Sequence, residues 1–256
     1  MTSLPLMAVH DVFEGTVIGR LNRFVVEVRS GSRRLCASIN NTGGLLDFLT
    51  PGRKAFLLPH LKHLKTDCSL FAVEESMGAA LIDTQLQMRA FESALRAQRI
   101  DWLGDHCIVA RNARLGRSVV DYLLRSDDGE AYLEVKSAVL KEGKYAMYPD
   151  CPTAGGRRHV AELTGHVGRG GRAYILLTAA LPGGAAFKPS ATRDPELCRL
   201  LAAAQRSGVA LKAINIMYDP RESCVHMADA NFPVEFERLS EEGHGVLAPE
   251  RHTALH

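Results

Sequence analysis

Two strand-like segments joined by a short turn carry acids that pairing would bring side by side. The first reads Ser118-Val119-Val120-Asp121-Tyr122-Leu123-Leu124, the turn Arg125-Ser126-Asp127-Asp128-Gly129-Glu130, and the return Ala131-Tyr132-Leu133-Glu134-Val135-Lys136-Ser137-Ala138-Val139-Leu140. Side chains alternate faces along a strand, so Glu134 and Lys136 share one side while Val135 points to the other. A tight hairpin sets Asp121 alongside them. Any fold that pairs these strands gathers two carboxylates and one ammonium at a sheet edge, an arrangement suited to a divalent cation and a phosphate.

The chemistry fits phosphodiester hydrolysis. Asp121 and Glu134 would bind Mg²⁺ or Mn²⁺, hard cations that prefer oxygen ligands, and the Val135 carbonyl would complete the protein ligands. Such a metal lowers the pKa of a bound water and polarises the scissile phosphate. Lys136 would orient that water and offset charge developing on the phosphate oxygens. Glu-x-Lys alone carries little information in a chain with 16 Glu and 8 Lys. A solvated strand face whose Glu and Lys pair with each other is the other reading. Glu92, in the first helix, is a candidate for a further acid.

The surrounding pattern falls into two parts. Residues 12–20, 24–29, 34–39 and 54–58 are short alternating or apolar runs, separated by turn signals at Ser30-Gly31-Ser32, Asn40 to Gly44 and Pro51-Gly52. About five short strands in this length predict a small β-barrel, OB-like, though an SH3-like barrel has the same periodicity. Helical spacing then appears over 84–99, with Thr84 as the expected cap. Strands follow at 106–110, 119–124 and 132–140, a helix at 154–166, a strand at 173–180, a helix at 195–207, and strands at 209–218 and 224–227. That α-β-β-β-α-β-α-β order predicts a mixed, three-layer α/β unit. The expected division is residues 1–80 for the barrel, 81–238 for the α/β unit, and a disordered tail at 239–256.

Composition excludes more than it identifies. Apolar residues make up 46% and charged residues 23%, ordinary for a globular protein. No apolar run reaches the roughly 18–20 residues of a membrane helix, and residues 1–15 lack a secretory pattern. Six scattered cysteines read as reduced thiols, which points to the cytoplasm and away from a zinc or disulfide scaffold. A net charge of +2 does not announce nucleic acid, although 31 basic residues include only 8 lysines and arginine suits bidentate phosphate contacts. An arginine-favouring genome explains that bias equally well.

Arg157-Arg158-His159, at a helix start, would meet a phosphate through side chains and helix terminus. A solvated first turn is the alternative. Asn41-Thr42-Gly43-Gly44 is a candidate nucleic-acid-facing loop that in isolation reads as a turn. Gly165 to Gly171 lacks the Lys-Ser/Thr ending of a nucleotide loop and reads as a helix exit. His60 and His63 have ligand-like spacing in what reads as a surface loop.

Tyr132-Leu133-Glu134-Val135-Lys136-Ser137-Ala138-Val139-Leu140, Tyr148-Pro149-Asp150 and Thr153…Gly156…His159 resemble the sugar fermentation stimulation protein family over roughly residues 10–235. Asn41-Thr42-Gly43 and Asp83-Thr84 match two further steps of its pattern. The sequence departs from it at Ile39-Asn40, Met88, Val119 and Gly155. The resemblance implies an OB-fold domain followed by a nuclease-like domain of the PD-(D/E)xK type. It sets Asp121, Glu134 and Lys136 on metal and catalytic positions; Asn41, Thr42, Gly43, Thr153, Arg157, Arg158 and His159 are the candidate nucleic-acid contacts. The implied activity is DNA binding with a metal-dependent nuclease function, and the residues themselves add Mg²⁺ or Mn²⁺ as the cation and leave RNA open as a substrate. A DNA-binding regulator of sugar metabolism with a vestigial nuclease site is the alternative.

Overall fold

The computed structural model describes residues 4–60 and 65–236. The first strand, β1 (Leu4–Ala8), leaves the segments that follow it and pairs antiparallel with the last strand of the chain. Next come β2 (Phe13–Asn22), β3 (Val25–Ser30), β4 (Arg33–Ser38), β5 (Lys54–Pro59) and β6 (Cys68–Glu75). Their alternation sorts side chains between inside and outside: Val26, Val28, Leu35 and Ala37 are buried, while Arg29, Arg33 and Arg34 are exposed. Antiparallel pairing runs in the order β4-β3-β2-β5-β6, and the parallel pair Ala37↔Cys68 closes the ring. This is the predicted five-stranded OB-like barrel. Residues 68–75, read as no element from the sequence, supply its closing strand.

A hairpin carries β6 into β7 (Gly78–Leu81), whose Ala79 pairs with Tyr218, so the barrel's sheet runs on into the second sheet. Helix α1 (Thr84–Arg96) buries Leu86, Ala90, Phe91, Ala94 and Leu95, the predicted face. Its cap is Asp83, whose carboxylate accepts from Leu86 N at 2.7 Å, and not Thr84. Thr84 instead donates its amide and hydroxyl to Asn40 Oδ1 at 2.9 and 3.2 Å, joining the helix start to the barrel.

The second unit continues with β8 (Cys107–Leu115), β9 (Ser118–Ser126) and β10 (Gly129–Ala138), then β11 (Leu140–Glu142) and β12 (Tyr145–Tyr148). Helix α2 (Ala154–Gly168), β13 (Ala173–Ala179), β14 (Ala186–Pro189), α3 (Pro195–Arg206), β15 (Ala210–Asp219) and β16 (Cys224–Phe232) complete it. The large sheet has the order β7-β15-β13-β10-β9-β8, with β10, β13 and β15 parallel and β16 alongside β15. Every residue of β13 but Tyr174 is buried, as expected of a parallel strand covered on both faces. Tyr122 of β9 packs on Phe91 of α1, with ring centroids 5.4 Å apart, so α1 covers one face. The other face carries α2, which lies over β9 and β13, and α3, which lies beside α2 and over β15.

Two features were not expected. The strand predicted over 132–140 stops at Ala138, and a separate three-stranded sheet, β11-β12-β14, grows beyond it. The predicted tail at 239–256 and His63 lie outside the described residues. His60 lies within them, and its Nε2 meets Thr66 Oγ1 at 2.9 Å. Buried side chains of both units form one core, in which Tyr218 stands edge-on to Phe56 and Phe71 of the barrel, at 5.2 and 4.9 Å between centroids.

Candidate functional site

The site sits where β9 and β10 part. Their ladder runs from Gly129↔Ser126 to Leu133↔Tyr122 and stops there. Beyond that pair the two strands keep their backbone donors satisfied through each other's carboxylates, as buried amides require. Asp121 N donates to Glu134 Oε2 at 3.2 Å, and Val135 N donates to Asp121 Oδ2 at 2.8 Å. Both side chains leave the sheet on the face opposite Tyr122, toward α2. Asp121 Oδ1 accepts no hydrogen bond among the described residues.

Lys136, on the same face of β10 as Glu134, places Nζ 2.5 Å from Glu134 Oε1. His159, one turn into α2, turns its Nδ1 onto that same oxygen. Glu134 is only 3% exposed. Burial alone would raise its pKa, but the contacts of His159 and Lys136 outweigh it and hold the carboxyl below its ordinary range. Burial would likewise lower Lys136, and the Glu134 charge overcomes it, so the ammonium titrates above its usual value. Asp121 has no such partner. Burial first, and the facing Glu134 charge second, push it up to about 6.

Tyr148 closes the site from β12. It is largely buried, its pKa is raised by that burial, and its hydroxyl lies against the first turn of α2, where a Cβ on Gly156 would meet it at 2.8 Å. The start of α2 is fixed by Thr153, whose Oγ1 accepts from Gly156 N at 3.0 Å, and by Asp194. Asp194 accepts from Thr153 N at 3.2 Å and from Arg157 Nε and Nη2 at 3.1 and 2.8 Å. It also caps α3 through Leu197 N at 3.0 Å. Thr153 and Arg157 therefore hold the helix that delivers His159, and Arg158 stands exposed beside them.

The Asn41-Thr42-Gly43 loop reaches the same neighbourhood from the barrel. Asn41 is buried, donating Nδ2 to Ile82 O at 3.2 Å and accepting from Gly43 N at 3.0 Å. Asp150, two residues beyond Tyr148, accepts from Leu45 N at 3.2 Å. A Cβ on Gly43 would stand 2.2 Å from the Asp150 carboxylate, so only glycine permits this approach. Arg20 fixes the loop from behind, with Nη1 on Gly43 O at 2.8 Å and Gly44 O at 2.6 Å.

Glu92 does not reach this face. Tyr122 donates to it at 2.9 Å and Arg111 grips it at 2.6 Å through both nitrogens, on the α1 side of the sheet. The sequence reading met Tyr148 only as part of the Tyr148-Pro149-Asp150 resemblance and gave it no role, missed Asp194, and placed His159 toward nucleic acid while the structure turns it to Glu134. Asp194, an aspartate before a helix, carried no signal of its own beyond capping.

The donor set fits a hard divalent cation: two facing carboxylates, one with an oxygen free of hydrogen bonds and a pKa raised by burial and by its neighbour's charge, beside the Val135 backbone. None of the six cysteines forms a disulfide. Among the described residues no helix is long and apolar enough to cross a membrane.

Residues 18–82 match the SfsA N-terminal OB domain, and residues 85–222 match the Sugar fermentation stimulation protein RE domain. A sugar fermentation stimulation protein homolog of Archaeoglobus fulgidus is 43% identical over 84% of this chain and 93% of its own length. One of Pyrococcus furiosus is 41% identical over 83% and 92%. The solved structure of Pyrococcus furiosus SfsA in complex with Ca²⁺ is similar with a TM-score of 0.87 and 38% identity, over 91% of this chain and 99% of that one. The chain belongs to the sugar fermentation stimulation protein family.

Proposed function

We propose that the protein is a nucleic-acid-binding phosphodiesterase that works with a divalent metal, Mg²⁺ or Mn²⁺, at Asp121, Glu134 and the Val135 carbonyl. The observation that carries this reading is the facing pair Asp121 and Glu134 with Lys136 on the same strand face. The Ca²⁺ bound by the Pyrococcus furiosus relative supports a hard-cation site in the family. A bound cation of this kind acidifies water and polarises a phosphate. The chain's own residues do the rest. Glu134 is held in one orientation by Lys136 and His159, and Asp121 by the Val135 amide. Lys136 Nζ is placed to orient the attacking water and to offset charge on the phosphate oxygens. Tyr148 and the first turn of α2 shield the ion pair from bulk water.

Within this reading the barrel spans residues 1–80 and the catalytic unit 81–238, and the substrate is DNA or RNA lying across both. The Asn41-Thr42-Gly43 loop and Arg158 border its path, while Arg157 and Thr153 fix α2 rather than reaching outward. The absence of disulfides is in keeping with a reducing cytoplasm.

A second reading rests on one observation: Lys136 and His159 both bond Glu134 Oε1, so this carboxylate has partners within the chain without a cation. A DNA-binding regulator of sugar metabolism with a vestigial nuclease site follows from it. Labelled single- and double-stranded DNA and RNA, offered with Mg²⁺, Mn²⁺ or EDTA, separate the two. Metal-dependent cutting supports the nuclease. Binding without cutting, unchanged when Glu134 and Lys136 are both replaced by alanine, supports the regulator.

A further inference from the structure

On the far side of the large sheet from β9, the turn between β15 and β16 gathers three metal-ligating side chains. Asp219, Glu222 and His226 each bring one donor atom within 4.8 Å of the others. Glu222 Oε2 lies 3.0 Å from His226 Nε2. The imidazole is 5% exposed and the Glu222 side chain 61%, so a carboxylate reaches from solvent over a buried nitrogen. Asp219 also lines a cavity of about 620 Å³, together with Glu14, Lys54, Glu74 and Arg221. Strands β13 and β10 stand between this turn and Asp121, so the two carboxylate clusters are separate.

We propose that Asp219, Glu222 and His226 form a second divalent-cation site, selective for Zn²⁺ over Mg²⁺. The argument rests on donor chemistry and place. An imidazole nitrogen with two carboxylates is a donor set for borderline cations, whereas the all-oxygen set around Asp121 suits hard ones. Two carboxylates and a neutral imidazole balance a doubly charged ion. Three protein ligands leave a position for water.

The place gives the ion its role. Tyr218, next to Asp219, pairs with Ala79 of β7 and stands edge-on to Phe56 and Phe71 of the barrel. His226 pairs with Pro5 of β1 and Met217 of β15. A cation at this turn therefore clips the ends of β15 and β16 together where the barrel's sheet joins the second one. It stabilises the folded chain by mass action, because the unfolded chain does not hold the three donors together.

The test uses the full chain carrying Asp121→Asn, which disables the other cluster. The protein is stripped with EDTA, dialysed, and titrated with ZnCl₂ by calorimetry and thermal melting. One equivalent of Zn²⁺ should bind and raise Tm, and excess MgCl₂ should not displace it. Adding Glu222→Gln, at an exposed position, should weaken Zn²⁺ binding about tenfold or more with an unchanged circular dichroism spectrum, and Asp219→Asn should do the same. Absence of Zn²⁺ binding in the Asp121→Asn protein overturns the proposal. So does binding that survives Glu222→Gln and Asp219→Asn but disappears when the cysteines are alkylated.

Discussion

Asp121 and Glu134 are each anchored by the other's strand: the Asp121 amide donates to Glu134, and the amide beside Glu134 donates to Asp121. The exchange occurs at the first position past the end of the β9–β10 ladder. It fixes two carboxylates side by side without using up the second oxygen of Asp121. The same arrangement that ends the pairing builds the site.

Asp121 is held in the carboxylate form at a cost. Its folded pKa of about 6 lies above the unfolded value of about 3.9, so between these pH values the folded state binds more protons. The Asp121 contribution to metal-free stability therefore falls as pH rises through this window, and levels off above it. The loss is on the order of 3 kcal/mol. Asp121→Asn should raise the Tm of the EDTA-treated protein at pH 7.5 by about 6–12 °C, less at pH 4.5, and abolish the Tm rise on adding Mg²⁺. Melting curves of both proteins at the two pH values check this, and a variant less stable at both would contradict it.

Lys136→Met keeps most of the side-chain volume and removes the charge. Glu134 retains His159, so cation affinity should hold within a few-fold. Turnover should fall by about 10²–10⁴, the usual loss for a group acting on the reacting water. Single-turnover rates beside a metal titration separate the two effects. Equal loss of affinity and rate would mean that the lysine only builds the site.

Glu92→Ala should destabilise the protein without touching the chemistry. The buried Tyr122 hydroxyl loses its acceptor, which costs about 1–3 kcal/mol, while Arg111 is exposed enough to find water. Arg111 holds the Glu92 pKa below its ordinary value, so its stabilisation is present above the unfolded carboxyl pKa and is lost as pH falls through the folded one. Urea midpoints at pH 7 and pH 4 should show the wild-type advantage shrinking in acid, with activity per folded molecule unchanged.

Two glycines should respond in opposite directions. Gly43→Ala drives a methyl into Asp150, breaks the contact with Leu45 N, and should cost about 1–3 kcal/mol along with affinity for nucleic acid. Gly155→Ala, in the first turn of α2, meets nothing within 4 Å and should stabilise the helix by about 0.5 kcal/mol. Thermal melts and a gel shift on each variant decide both.

The Asp121–Glu134–Lys136 constellation was legible because strand alternation is a strict rule, and one turn between two alternating runs leaves few registers. The α/β order was legible for the same reason: β13 and α1 carry unmistakable burial patterns. What stayed hidden depends on distant partners. Strand β1 pairs with β16 across most of the chain, and β14 completes a small sheet with β12; neither has local periodicity enough to announce itself. Thr84 looked like a cap because Thr caps well, yet Asn40 claims it and Asp83 takes the role. His159 was visible as a residue at a helix start, but its direction follows from how α2 lies over β9 and β13, which Asp194 sets through Thr153 and Arg157.

The most direct measurement is the cleavage rate of labelled nucleic acid at saturating Mn²⁺ by wild type and Glu134→Gln, with an EDTA control. Gln preserves the shape of Glu134 and removes its charge. The account predicts metal-dependent cleavage by wild type that drops by about a thousandfold or more in the variant, with nucleic-acid affinity retained. Equal cleavage by the two proteins, or cleavage that persists in EDTA, would contradict it.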